Sequence, residues 1–160
     1  MPGMLPEDVY ALTGVSDPRV SPDGTRVAYA VWWIDQEQNE YRAEIRVAPL
    51  DGSGEARRFT SGEKRDGSPR WSPDGRLLAF TSNRGPDKAP PQLYVMPADG
   101  GEPRKLTDGK EGVGSFAWSP DSTRIVFVRR VRDDAYEEED DAKRAPRRFT
   151  RVFYKLDSVG

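Results

Sequence analysis

The segment Pro18-Arg19-Val20-Ser21-Pro22-Asp23-Gly24-Thr25-Arg26-Val27-Ala28-Tyr29 returns as Pro69-Arg70-Trp71-Ser72-Pro73-Asp74-Gly75-Arg76-Leu77-Leu78-Ala79-Phe80. It returns again as Phe116-Ala117-Trp118-Ser119-Pro120-Asp121-Ser122-Thr123-Arg124-Ile125-Val126-Phe127. The turn serines Ser21, Ser72 and Ser119 stand 51 and 47 residues apart. A second element keeps step with the first: Ile45 to Gly52 followed by Arg58-Phe59-Thr60 corresponds to Leu93 to Gly100 followed by Lys105-Leu106-Thr107. Two halves recurring at one period define a single supersecondary unit used repeatedly.

Ser-Pro-Asp-Gly suits a tight turn. Proline presets φ at the second position, Ser and Asp bond the local backbone, and Gly accepts positive φ at the end. Alternating Val27 and Tyr29, or Leu78 and Phe80, mark the strand after the turn. Ile45 and Val47, or Leu93 and Val95, mark a third strand; Asp-Gly then makes the next hairpin, and Phe59 or Leu106 anchors a fourth. Four antiparallel strands per unit of this length is the period of a propeller blade. The expected fold is therefore all-β, a partial β-propeller of about three blades preceded by a short N-terminal helix. The expected divisions are an N-terminal extension over 1–16, blade 1 over 17–62, blade 2 over 63–109 and an incomplete blade 3 over 110–160.

Blade 3 departs from the pattern. Ser122 occupies the glycine slot, which implies either backbone strain or another turn type. After Val131 comes a charged insertion, 132–146, and Arg147 to Lys155 reads as the resumed third strand. Propellers close with about four to eight blades, so the remainder of the same propeller is an expected partner. An open arc would leave strand edges unpaired.

Composition removes several functions. The 160 residues carry 25 basic and 27 acidic side chains, so no global field draws the chain to nucleic acid or to an anionic membrane. There is no cysteine, which removes thiolate nucleophiles and the usual zinc sites. There is no histidine, and a Ser-His-Asp or Cys-His hydrolase needs an imidazole to take the nucleophile's proton. No Gly-x-Ser-x-Gly elbow occurs either. Met1 to Leu12 does not read as a secretory signal, and the expected location is cytoplasmic.

Several motifs invite sharper readings. Gly109-Lys110-Glu111-Gly112-Val113-Gly114-Ser115 looks like a phosphate-cradling loop, but Gly109, Gly114 and Ser115 align with Gly62, Gly67 and Ser68, so it reads as a connection between blades. The acidic run Asp133 to Asp141 lacks the spacing of a calcium loop and reads as a solvated loop. Basic Lys143 to Lys155, with Phe149, Phe153 and Tyr154 interleaved, has the ingredients of a single-strand nucleic-acid groove, and alternation makes it a blade strand instead. Trp71 and Trp118 share one blade position, taken by Val20 in blade 1, and are expected to pack between blades. Trp32 and Trp33 belong to an extended second strand, one of the pair facing outward. No residue is assigned as catalytic, cofactor-binding or metal-ligating, and no cofactor is expected.

The stretch Pro69 to Thr107 resembles the propeller repeat of two families, the prolyl oligopeptidase family of serine peptidases, especially its acylaminoacyl-peptidase-like branch, and the TolB-like scaffold propellers. Leu5 to Leu12 is similar to the helix before blade 1 in that peptidase branch, as is a charged blade 3 insertion followed by Arg151 to Gly160. Tyr136-Glu137-Glu138-Glu139 resembles the substrate amino-terminus clamp of propeller-bearing dipeptidyl peptidases, but Asp133-Asp134-Ala135 stands where Asp-Trp should precede it. The peptidase resemblance implies a propeller that gates short peptides toward a C-terminal α/β-hydrolase domain, where the catalytic residues lie, with homo-oligomers of the parent open. The scaffold resemblance implies a protein-interaction module.

Overall fold

The computed structural model describes Gly3 and residues 5–86 and 89–131. The insertion over 132–146, the Tyr136 to Glu139 motif and the strand expected at Arg147 to Lys155 lie outside the described residues. A 3₁₀ helix, Pro6–Ala11, opens the chain. The expected helix is thus tighter than an α-helix and only six residues long. Asp8 accepts a hydrogen bond from the Leu5 amide at its start, 2.8 Å.

Ten strands follow among the described residues: β1 (Thr13–Val20), β2 (Arg26–Asp35), β3 (Glu40–Pro49), β4 (Arg57–Arg58), β5 (Asp66–Trp71), β6 (Leu77–Ser82), β7 (Gln92–Pro97), β8 (Arg104–Lys105), β9 (Val113–Trp118) and β10 (Ile125–Arg129). They form two four-stranded antiparallel sheets, β1-β2-β3-β4 and β5-β6-β7-β8, and a β9-β10 pair. Each sheet is a meander, as the repeat predicts, and the fold is a partial β-propeller. The longer first period is absorbed mainly in the β2–β3 hairpin, whose ten-residue strands continue where the six-residue β6 and β7 give way to a loop.

The Ser-Pro-Asp turn is built the same way three times. The amide of the fourth residue donates to the serine carbonyl: Gly24 to Ser21 at 2.9 Å, Gly75 to Ser72 at 2.8 Å and Ser122 to Ser119 at 3.0 Å. That fourth residue takes positive φ, 70° at Gly24, 71° at Gly75 and 62° at Ser122. Ser122 therefore keeps the glycine turn and bears the strain. Its hydroxyl accepts a hydrogen bond from the Asp74 amide of blade 2 at 3.0 Å, a contact glycine could not make.

Core formation follows from stacking blades face to face. Ala28, Ile45 and Val47 of blade 1 meet Trp71, Leu78, Phe80 and Met96 of blade 2 in one buried cluster. The other face of blade 2, with Ala79 and Leu93, packs on Val113 and Phe116 of blade 3. Each fully buried side chain of this size contributes about 1.5–3 kcal/mol. On blade 3, Val126 and Val128 are 70% and 62% exposed.

Candidate functional site

The seam between blades 1 and 2 is polar at one end and open at the other. At the polar end the Asp99-Gly100 turn of blade 2 is gripped by two arginines of blade 1, beside a shallow cavity of about 360 Å³ lined by Arg26, Arg57 and Asp99. Arg26 Nη1 reaches Ala98 O and Asp99 Oδ1, both at 3.2 Å, and Arg57 donates to Asp99 O at 2.9 Å and to Ala98 O at 3.3 Å. Arg26 also lies over the Trp71 ring, 5.0 Å from its centroid. Blade 2 carries Leu77 where blade 1 carries Arg26, and there a cavity of about 290 Å³ lies against blade 3.

At the open end the two blades part around a cleft of about 700 Å³, a volume in the range of small-molecule and short-peptide sites. Its shape comes from the long β2–β3 hairpin and from bulges in the first strands. Each of β1 and β5 is irregular, between Ser16 and Arg19 and between Gly67 and Arg70, with Asp17 and Ser68 at φ 51° and 54°. Asp and Ser tolerate that left-handed geometry better than bulky residues, and a bulge re-aims side chains. Both residues line the cleft.

Trp32 and Tyr41 form its aromatic wall. They are diagonal neighbours across the β2–β3 ladder, with Trp32 opposite Ala43 and Tyr41 opposite Ile34. Their rings meet edge to face at 6.1 Å. Trp32 can lie flat on β1 because its partner there is Gly14, where any Cβ would run into the indole. Trp33 turns to the other face and lies against Gly62. Both tryptophans are half-buried, so neither is the outward-facing residue expected of the pair.

The cleft's carboxylates are occupied. Asp17 is paired with Arg19 at 2.6 Å and, across the seam, with Arg70 at 2.7 Å. Asp66 is 1% exposed and accepts from Arg84 Nη2 at 2.7 Å. Thr81 donates its hydroxyl to the Gly67 carbonyl at 3.2 Å.

The motifs singled out by sequence fall into place around this frame. Trp71 Nε1 donates to Arg19 O at 2.9 Å and Trp118 Nε1 to Arg70 O at 3.0 Å, so both tryptophans pack and bond between blades as expected. Val20, at the same position in blade 1, is 53% exposed. In the Gly109 to Ser115 loop the carbonyls are engaged from within, since Gln92 Nε2 donates to Gly109 O and Glu111 O. That loop is the connection between blades, leading from β8 to β9. The basic stretch and the acidic run lie outside the described residues.

The turn aspartates are perturbed acids. Asp23 and Asp121 are pulled down to about 2, first by the hydroxyls of Ser21 and Ser119 and then by the amide and hydroxyl of Thr25 and Thr123. Asp74 is lowered for the same kind of reason, by Ser72 and the Arg76 amide. These are structural turns repeated in every blade, which explains perturbed groups outside any cleft.

Against known families, the pattern of the TolB beta propeller domain matches residues 7–150. The chain belongs to that family. TolB-type propeller sequence accompanies peptidases among its relatives. The uncharacterized peptidase YuxL of Bacillus subtilis is 45% identical over 94 residues, which cover 59% of this chain and 14% of that protein. The acylaminoacyl peptidase of Pyrococcus horikoshii superposes with a TM-score of 0.60 at 29% identity, over 83% of this chain and 20% of that one. The putative TolB of Agrobacterium tumefaciens superposes with a TM-score of 0.56 at 32% identity, over 69% of this chain and 36% of that one. The TolB-type propeller described here is thus a peptidase-related propeller segment of the prolyl oligopeptidase kind, and it spans a small fraction of the length of these relatives. No sequence signal marks the Trp32–Tyr41 cleft, because the Gly14–Trp32 pairing that shapes it is set by strand register.

Proposed function

We propose that this chain is the N-terminal part of the propeller of a serine peptidase of the acylaminoacyl or oligopeptidase type, limiting access of short peptides to a C-terminal α/β-hydrolase domain. The observation that carries the reading is the 45% identity to a protein named as a peptidase, since a fold alone does not fix an activity. The chemistry supports the same division of labour. The chain has no histidine, and the carboxylates of its cleft are held by arginines, so peptide cleavage belongs to residues elsewhere in the parent protein. The propeller's part is to exclude by size and to hold. The remainder of the ring is its partner, and a cytoplasmic location is part of the proposal.

The test is a fluorophosphonate probe on the intact parent protein, followed by peptide mapping. The expected label falls on a serine outside residues 1–160, and short acylated peptides are hydrolysed much faster than folded proteins. A second reading, a TolB-like interaction scaffold, draws on the 32% identity to the Agrobacterium protein. It predicts no label and no hydrolysis, and that outcome would overturn the peptidase reading.

A further inference from the structure

The cleft between blades 1 and 2 is uneven in charge. Asp17 is spanned by Arg19 and Arg70, and Asp66 is matched by Arg84. Arg65 differs. Its backbone amide donates to Asn83 Oδ1 at 2.8 Å, but its guanidinium makes no ion pair among the described residues and lies over the Tyr41 ring, 5.9 Å from the centroid. A guanidinium resting on a ring keeps the edge of its fork open, and that edge matches a carboxylate in a bidentate pair. Deeper in the cleft the surface turns apolar, with Trp32 beside the buried Ala30 and Ala43. A positive charge at the rim without an ion pair among the described residues and an aromatic wall beside it together select a ligand that is anionic at one point and apolar next to it.

The geometry points to a subsite for the C-terminal residue of a short peptide, its α-carboxylate on Arg65 and its apolar or aromatic side chain against Tyr41 and Trp32. A chain end carries both groups on one Cα, so a single residue satisfies both features. An internal Asp or Glu would need a second ordered residue to fill the aromatic wall, at further entropic cost. That the ligand is a peptide rests on the peptidase reading above. The charge and shape of the site do not.

Calorimetric titration of the intact protein, with serine chemistry blocked by a sulfonyl fluoride so that the probe survives, tests this. The probes are acetyl-Ala-Ala-Phe acid, its C-terminal amide, and acetyl-Ala-Glu-Phe amide. The acid is expected to bind at least about tenfold more tightly than the amide, as a charge-assisted bidentate pair implies. Arg65→Gln should bring the acid down to the level of the amide, and Arg65→Lys should restore part of the difference. Arg65 is exposed, so both variants are expected to keep the wild-type circular dichroism spectrum, and the lysine variant separates lost charge from lost fold. Equal binding of acid and amide, no binding of the acid, or full affinity in Arg65→Gln would overturn the proposal. Binding of the glutamate amide as tight as the acid would overturn the assignment to a chain end. Fluorophosphonate labelling of the unblocked protein reads the peptidase question separately. Labelling without Arg65-dependent binding removes the subsite alone, and Arg65-dependent binding without labelling removes the peptidase reading alone.

Discussion

The indole of Trp71 donates from Nε1 to the main-chain oxygen of Arg19 across 2.9 Å, tying blade 2 to blade 1. One period later Trp118 makes the same bond to Arg70. The repeated tryptophan is therefore both a packing element and a directional hydrogen-bond donor.

Trp71→Phe keeps most of the buried ring and deletes the donor. It is expected to lower stability by about 1 kcal/mol, the net value of one such bond. Trp71→Ala, which also opens the core shared with Phe80 and Met96, should cost roughly 3–5 kcal/mol. Urea unfolding followed by far-ultraviolet circular dichroism measures both. Equal losses in the two variants would mean that the bond, not the packing, dominates.

Ser122 is open to a paired test, because it holds positive φ and accepts from Asp74. In Ser122→Ala the strain stays and the bond goes, so stability should fall by about 1 kcal/mol. In Ser122→Gly the strain is relieved as the bond is lost, and the net change should lie within about 0.5 kcal/mol. Thermal unfolding of the two variants side by side decides it; an alanine variant at least as stable as the glycine variant would contradict this account.

Acid should loosen the blade turns. Asp23 and Asp121 sit at about 2 in the folded chain against 3.8 ordinarily. As pH falls below 4 the unfolded state takes up protons that the folded state refuses, so the stabilising contribution present at neutral pH is lost progressively down to pH 2. Carboxyl carbon shifts in NMR should place both midpoints near 2. Ser21→Ala should move the Asp23 midpoint upward and leave Asp121 where it is.

Gly14→Ala should displace the Trp32 indole. The overpacked variant is expected to lose about 1–3 kcal/mol, and the Trp32–Tyr41 wall with it. A changed near-ultraviolet circular dichroism spectrum with retained far-ultraviolet signal is the predicted signature. An unchanged spectrum would mean that the strand pair has shifted to admit the methyl group.

What the sequence discloses follows from what repeats in it. The turns, the strand order and the role of Trp71 and Trp118 are legible because the same local chemistry is written more than once, and each copy checks the others. Ser122 was half legible: the missing glycine marked strain, but its partner, the Asp74 amide, lies one blade away. The cleft was not legible. Trp32, Tyr41 and Arg65 sit where blade 1 departs from blade 2, and nothing in a linear reading brings Arg65 over Tyr41 or sets Trp32 against Gly14. Those relations are products of register and blade stacking.

The inter-blade bond also has a direction. In both cases the later blade supplies the indole and the earlier blade the carbonyl. A chain leaving the ribosome therefore exposes the acceptor first, a group that water satisfies at little cost. The donor, with its large apolar ring, emerges only when a finished surface is waiting to receive it.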